Sequence, residues 1–307
     1  MHDIAIIGGG PAGLTAGLYA ARGGASVTLY EELFCGGQAA KTERIDNYPG
    51  FPDGLDGFSV GALIQQQAEK FGLAVSFETV QALHFGAGEQ GAHTLVFDGR
   101  EETAKAVILA MGATPRPLGL PREEALTGAG VSYCATCDGA FFRDKDVAVV
   151  GGGDTAVSDA LYLARFCRTV TLVHRRDALR AAASLQKAAL ADSRIRFAWN
   201  SVPEALEGET AVSGLRIRNK LTGESTLLPV SGIFVAVGIL PRTALVDGQL
   251  ALADGGSIAT DAHMRTSAPG VFAAGDVRNT PLRQVVTACA DGAVAAESAL
   301  TYLTTLA

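Results

Sequence analysis

Short apolar runs closed by glycine set the rhythm of the chain. "IAII" from Ile4 leads into "GGGPAG", then into "LTAGLYAAR", with small and apolar residues at helical spacing, then into a second apolar run, "SVTLY" from Ser26. That order predicts strand, tight turn, helix and strand, the opening βαβ unit of a dinucleotide-binding fold. The pattern returns as "VAVV" from Val147, "GGGDTAV", "LYLAR" and "VTLV" from Val170. An offset of 143 relates Gly8 to Gly151 and Glu31 to His174, so the chain contains two homologous units in one register. One glycine turn alone is weak evidence, because such turns are common in ordinary loops. Two copies, each after a strand and before a helix, are strong.

Each copy continues into short strands with turn signals, "FETVQALHF" and "HTLVFDG" in the first, "FAWNSVPEAL" and "LRIRNKLTGE" in the second. Each then closes on an apolar strand, "AVILAMGATP" or "GIFVAVGILP". Pro115 and Pro241 lie 126 apart, 17 fewer than the repeat offset, so the first copy is longer. Much of the excess falls in residues 32–58, a Gly- and Pro-rich stretch without counterpart after His174, which suits a large ligand. After the second unit closes, "GVFAAGDV" delivers Asp276 at the carboxyl end of a strand, where ligands of open α/β sheets lie. Pro281 suits the first turn of a helix carrying Arg283 and Gln284, whose positive end would stabilise negative charge. The plainer alternative is a terminal strand and helix that only complete a core.

The glycines have separate tasks. Gly8 permits the tight turn, Gly10 lets backbone approach a pyrophosphate, and Gly13 lets helix pack on strand; Gly151, Gly153 and Ala156 repeat the set, with Ala an accepted third member. Charge distinguishes the copies. The first ends in Glu31 and Glu32, suited to free ribose hydroxyls; the second ends in His174, Arg175 and Arg176, with Arg180 beyond, suited to a 2′-phosphate. Alone, "HRRDALR" reads more readily as a solvated basic helix start. Its register in the repeat favours the phosphate.

Composition narrows the classes. The 307 residues are 48% hydrophobic and 19% charged, enough for about two folded domains. A net charge of −7 argues against nucleic acid or an anionic membrane as partner, and "GIFVAVGIL" is far too short to span a bilayer. The opening "MHDIAIIGGG" leaves no room for a signal peptide, so a reducing cytoplasm is the expected setting. Five cysteines are too few and scattered for a secreted disulfide framework. Cys134 and Cys137 form a CxxC with Asp138 behind it; no second CxxC and no nearby histidine completes a zinc set, and no metal is expected. A redox couple is the favoured reading and two inert buried thiols the other.

"GGGPAG", "CGGQ", "NYPGFP", "CATCDG", "GGGDTAV", "HRRDALR" and "GVFAAGDV" together resemble the low-molecular-weight thioredoxin reductases over essentially the whole length. The resemblance implies an α/β fold of two Rossmann-like three-layer (β/β/α) domains, the second inserted into the first: 1–114 with 243–307 for FAD, 115–242 for NADPH and the CxxC. It implies FAD contacts at Gly8, Gly10, Pro11, Ala12, Gly13, Glu31, Gly36, Gly37, Gln38, Asn47, Gly112, Gly275, Asp276, Arg283, Gln284 and Val285. NADPH would meet Gly151, Gly153, Asp154, Thr155, His174, Arg175, Arg176 and Arg180. Cys137 would face the flavin, Cys134 would exchange with thioredoxin, and Asp138 would shuttle protons, which calls for a raised pKa. The resemblance also implies a homodimer.

Departures are few. Met111 replaces the family's usual threonine near the flavin, and Ser158 and Asp159 replace paired glutamates near the nicotinamide. Cys35, Cys167 and Cys289 are expected to be packing residues. Nicotinamide and disulfide share one unit yet both need the flavin, so the resemblance implies alternation by domain rotation, with hinges near Thr114 to Arg116 and Val237 to Arg242. Two other functions remain open: a flavoprotein disulfide reductase or dithiol oxidase with another partner, and a flavin- and NADP-binding redox sensor. Relatives that reduce ferredoxin are disfavoured because they lack the cysteine pair.

Overall fold

The computed structural model describes the chain apart from residues 43, 44, 46, 87–90 and 307 and the side chain of Lys41; part of the 32–58 loop therefore lies outside the described residues. Contacts divide the chain into two compact units, Met1–Thr114 with Leu240–Ala307, and Pro115–Ile239.

In the first unit, strands Ala74–Ser76, Val27–Tyr30, His2–Ile7 and Arg100–Leu109 run parallel in that order, and Val271–Ala273 lies parallel to Arg100–Leu109. The ten-residue strand Arg100–Leu109 serves three partners: its first half pairs antiparallel with His93–Phe97, its second half parallel with His2–Ile7 and Val271–Ala273. Alternate side chains enter different cores. Ile4 and Ile6 join Leu14, Leu29 and Ile108 beneath the helices, while Ala5 and Ile7 join Leu95, Leu109 and Val271 on the other face. A strand buried on both faces must read as an unbroken apolar run, which is why "IAII" does not alternate.

Helix Pro11–Arg22 packs closely on the C-terminal helix Val285–Thr304, because Gly292 admits it: a Cβ there would lie 2.2 Å from Ala12 O. The C-terminal helix starts later than Pro281 suggests. Gln284 is extended (φ −142°, ψ 161°) and caps the helix reciprocally with Thr287, whose hydroxyl accepts from Gln284 N at 3.1 Å. Pro281, Arg283 and Gln284 thus precede the helix. The side-chain cap outweighs the proline preference as the start signal.

In the second unit, Ile195–Ala198, Thr169–Val173, Asp146–Gly151, Gly232–Ala236 and Val131–Ser132 form a wholly parallel sheet. Val147 and Val149 face helix Asp154–Leu163 and its neighbours; Ala148 and Val150 face Leu206, Leu215 and Ile217 of a separate antiparallel sheet, Ser201–Glu207, Gly214–Asn219 and Ser225–Leu228. Helices, parallel sheet and antiparallel sheet are the three layers.

Candidate active site

In the first unit the turn after His2–Ile7 is closed by glycines. Gly8 has φ 105°, and a Cβ on it would lie 2.4 Å from Ala110 O. A Cβ on Gly13 would lie 1.9 Å from Gly8 O. Gly10 meets only Gly37 Cα, at 3.9 Å, so its face is clear. Gly36 N donates to Gly9 O at 2.8 Å, folding Gly36, Gly37 and Gln38 against the turn. Gly37 itself has φ 58° and lies where a Cβ would be 3.0 Å from Gly10 Cα. The Glu31 carboxylate accepts from Gly9 N at 2.6 Å and Glu32 N at 3.0 Å. Helix Pro11–Arg22 starts beside the turn without a side-chain cap, so its first amides can serve an anion.

The chain's last quarter reaches the same place. A Cβ on Gly275, which has φ 75°, would lie 2.9 Å from Ala12 Cβ, so Gly275 and Asp276 abut the first helix. Burial pushes the Asp276 carboxyl up, against the pull of Arg283. Arg283 Nε is buried without a hydrogen-bond partner among the described residues. Asn47 Nδ2 donates to Gln284 Oε1 at 2.9 Å, tying Asn47 to the start of the helix at Val285. Gly112, at φ 68°, follows the Ala110 carbonyl on which Gly8 packs. Asp291 escaped sequence reading. Its Oδ2 accepts from Gly275 N at 3.1 Å and from Arg278 at 3.0 Å, and so fixes the turn that carries Asp276.

The second unit repeats the turn with one addition. Gly151 has φ 155°, a Cβ on it would lie 2.4 Å from Ala236 O, and Gly153 is open. On Gly152 a Cβ would lie 2.1 Å from His174 Nδ1, so the imidazole packs flat against the turn. His174 is buried, its Nε2 has no hydrogen-bond partner among the described residues, and burial pulls its pKa down. Asp154, beside Thr155 at the helix start, accepts from Ala182 N at 2.7 Å, and Arg180 N donates to Gly152 O at 2.8 Å. These bonds hold residues 175–182 over the turn in a non-helical path; the helix starts only at Ala183. Arg175, Arg176 and Arg180 are exposed, and among the described residues no ion pair engages them. Asp159, on helix Asp154–Leu163, is pushed up to about 6 by burial.

Cys134 and Cys137 are disulfide-bonded, with Cα atoms 5.3 Å apart. Cys134 caps the short helix Ala135–Asp138, and its carbonyl accepts from Asp138 N at 3.1 Å. Ser132, which sequence reasoning passed over, ties the turn together: its Oγ lies 2.6 Å from Asp138 Oδ2 and accepts from Cys134 N at 3.1 Å. Tyr133 donates to Glu123 at 2.7 Å, and that buried carboxylate also accepts from Leu118, Gly119 and Leu120 amides. The remaining cysteines differ in setting. Burial pushes Cys35 to about 12 and Cys167 to about 11, whereas Cys289 is half-buried and takes a hydrogen bond from Tyr48 at 3.7 Å. Among the described residues no group of acids, histidines and cysteines could hold a metal.

The sequence matches the pyridine nucleotide-disulphide oxidoreductase family over residues 2–292. A thioredoxin reductase of Peptoclostridium acidaminophilum is 45% identical over 309 residues, covering 99% of this chain and 97% of the relative. A bifunctional thioredoxin reductase/thioredoxin of Mycobacterium leprae is 43% identical, covering 99% of this chain and 66% of the relative. The crystal structure of thioredoxin reductase from Streptococcus pyogenes superposes with a TM-score of 0.89 at 45% identity, covering 99% of this chain and 98% of that one.

Proposed function

The chain belongs to the thioredoxin reductases of the pyridine nucleotide-disulphide oxidoreductase family, and on that premise we propose that it uses NADPH and FAD to reduce thioredoxin through Cys134 and Cys137. It is an oxidoreductase that works with a flavin and a nicotinamide nucleotide. The observation that carries the finer reading is the closed Cys134–Cys137 disulfide on the unit whose glycine turn is flanked by Arg175, Arg176 and Arg180. Three guanidinium groups without ion-pair partners among the described residues match a 2′-phosphate, which favours NADPH over NADH. Glu31 at the other turn favours the unphosphorylated ribose of FAD. The clear faces of Gly10 and Gly153 suit pyrophosphates, and the buried Nε of Arg283 and Nε2 of His174 are polar atoms that a cofactor could satisfy.

A bound flavin supplies the means to take a hydride from the nicotinamide and pass an electron pair to a disulfide. The chain's own residues then do the rest. Two electrons and two protons break the Cys134–Cys137 bond; Cys137 is assigned to the flavin side, and Asp138 protonates the departing sulfur. Once the Cys134 thiol has lost its proton to solvent, its thiolate attacks the thioredoxin disulfide, and Cys137, losing its own proton, resolves the mixed disulfide, restoring the bond and releasing dithiol thioredoxin. The relative that carries reductase and thioredoxin in one protein supports this partner. Domain rotation about Thr114 to Arg116 and Val237 to Arg242 gives nicotinamide and disulfide alternate access to the flavin. Gly238, with φ 123°, lies in the second of these segments, and Gly112, with φ 68°, lies two residues before the first. A cytoplasmic homodimer is part of the same proposal on family grounds; no described helix is long and apolar enough to cross a membrane.

Anaerobic reductive titration tests the relay. The wild type should consume about twice the reducing equivalents of Cys137→Ser, because flavin and disulfide each store one electron pair. Equal uptake would refute the disulfide's part.

A further inference from the structure

Ser132 closes a strand and opens the redox turn. It is 4% exposed and held in register opposite Phe234 of the parallel sheet, so its position is fixed by the fold rather than by the loop. Three polar atoms converge on its hydroxyl: Asp138 Oδ2 at 2.6 Å, Cys134 N at 3.1 Å and Cys134 O at 3.3 Å. A hydroxyl has one proton and two lone pairs, and its proton can rotate. With Asp138 ionised, Ser132 donates to Oδ2 and accepts from Cys134 N–H. With Asp138 protonated at Oδ2, the carboxylic acid donates to Oγ, and the serine proton turns to Cys134 O. The same heavy atoms satisfy both states.

We propose that Ser132 is a positioning residue that lets Asp138 lose and regain its proton without moving and links that event to the backbone of Cys134. The inference rests on the proposed role of Asp138 in disulfide reduction. It assigns the serine no electron or bond change: the proton that Asp138 gives to a departing sulfur is replaced from solvent, and Ser132 reorients its own proton at each step. Removing the hydroxyl withdraws a donor from the carboxylate and so favours the neutral acid.

The test uses the whole protein with the side-chain carboxyl carbon of aspartate labelled, Asp138→Asn assigning the resonance. In Ser132→Ala the Asp138 titration should move to higher pH by about one unit, the size of one charge-assisted hydrogen bond. Ser132→Thr, which keeps the hydroxyl, should titrate as the wild type. Ser132→Cys, near in size but a weak donor, should follow Ser132→Ala and serves if the alanine variant does not fold. A second readout is the equilibrium of the Cys134–Cys137 disulfide with dithiothreitol across pH, whose inflection should move with the same variants. An unmoved titration in folded Ser132→Ala or Ser132→Cys would overturn the proposal. Both readouts omit thioredoxin and NADPH, so failed thioredoxin turnover with a shifted titration condemns the functional reading alone. Normal turnover with an unshifted titration condemns this inference alone.

Discussion

Gly152 looks interchangeable with its neighbours in "GGGD", yet the three glycines face different surroundings. A Cβ on Gly152 would lie 2.1 Å from the His174 ring, whereas Gly153 has open space. Gly152→Ala should therefore cost about 1–3 kcal/mol through overpacking, while Gly153→Ala should stay within about 0.5 kcal/mol of the wild type but obstruct a pyrophosphate. Thermal unfolding separates the first effect and NADPH titration the second; equal destabilisation would contradict the geometry. On the proposed reading, in which both guanidinium groups bond a 2′-phosphate, Arg175→Ala and Arg176→Ala should each weaken NADPH about ten- to a hundredfold and NADH much less. Isothermal titration of both nucleotides decides it. At this scale the sequence revealed chemistry wherever a motif repeats, as with Gly8 and Gly151. It concealed Ser132 and Asp291, whose roles depend on which distant backbone amide or carboxylate the fold brings beside them.

The C-terminal helix shows how an element boundary escapes a reading by residue preference. Proline at 281 predicts a first turn, but reciprocal bonding between Gln284 and Thr287 sets the start at Val285. Thr287→Ala should cost about 1 kcal/mol of stability and raise hydrogen exchange of the first-turn amides, measurable by mass spectrometry; unchanged exchange would argue against the cap. Farther along, Asp291 and Arg278 form a buried pair with side chains 12% and 11% exposed. Asp291→Ala leaves that guanidinium and the Gly275 amide without this acceptor and should cost about 3–5 kcal/mol. It should also loosen the flavin on the proposed reading, in which Gly275 and Asp276, on the turn that Asp291 fixes, contact it. Strands were easier to find. "IAII" and "VAVV" are buried on both faces and could hardly be anything else, whereas of "FETVQALHF" only Ala82–His84 pairs in the sheet.

Over the whole molecule, the repeat disclosed the two α/β units because both copies solve one burial problem with one pattern. Net charge and composition said little about the acids and histidines that burial selects. Asp159 titrates near 6 in the fold against an ordinary 3.8, so the unfolded chain loses its proton first and stability should fall between about pH 4 and 6. His93 and His174, both held low by burial, act in the opposite sense: the unfolded chain binds their protons first, and stability rises as pH approaches 6.5. Asp159→Asn should remove the first trend and stabilise the protein at pH 7 by roughly 1–3 kcal/mol, read by urea unfolding at several pH values. Motion of the units is testable by an engineered covalent link between them, which should stop turnover and spare one half-reaction. The central claim is that electrons pass from NADPH through this chain's disulfide to thioredoxin. Following NADPH absorbance with purified, flavin-loaded protein and a thioredoxin tests it most directly: oxidation should require thioredoxin and vanish in Cys134→Ser. Turnover that persists in Cys134→Ser, or that needs only oxygen, would contradict it.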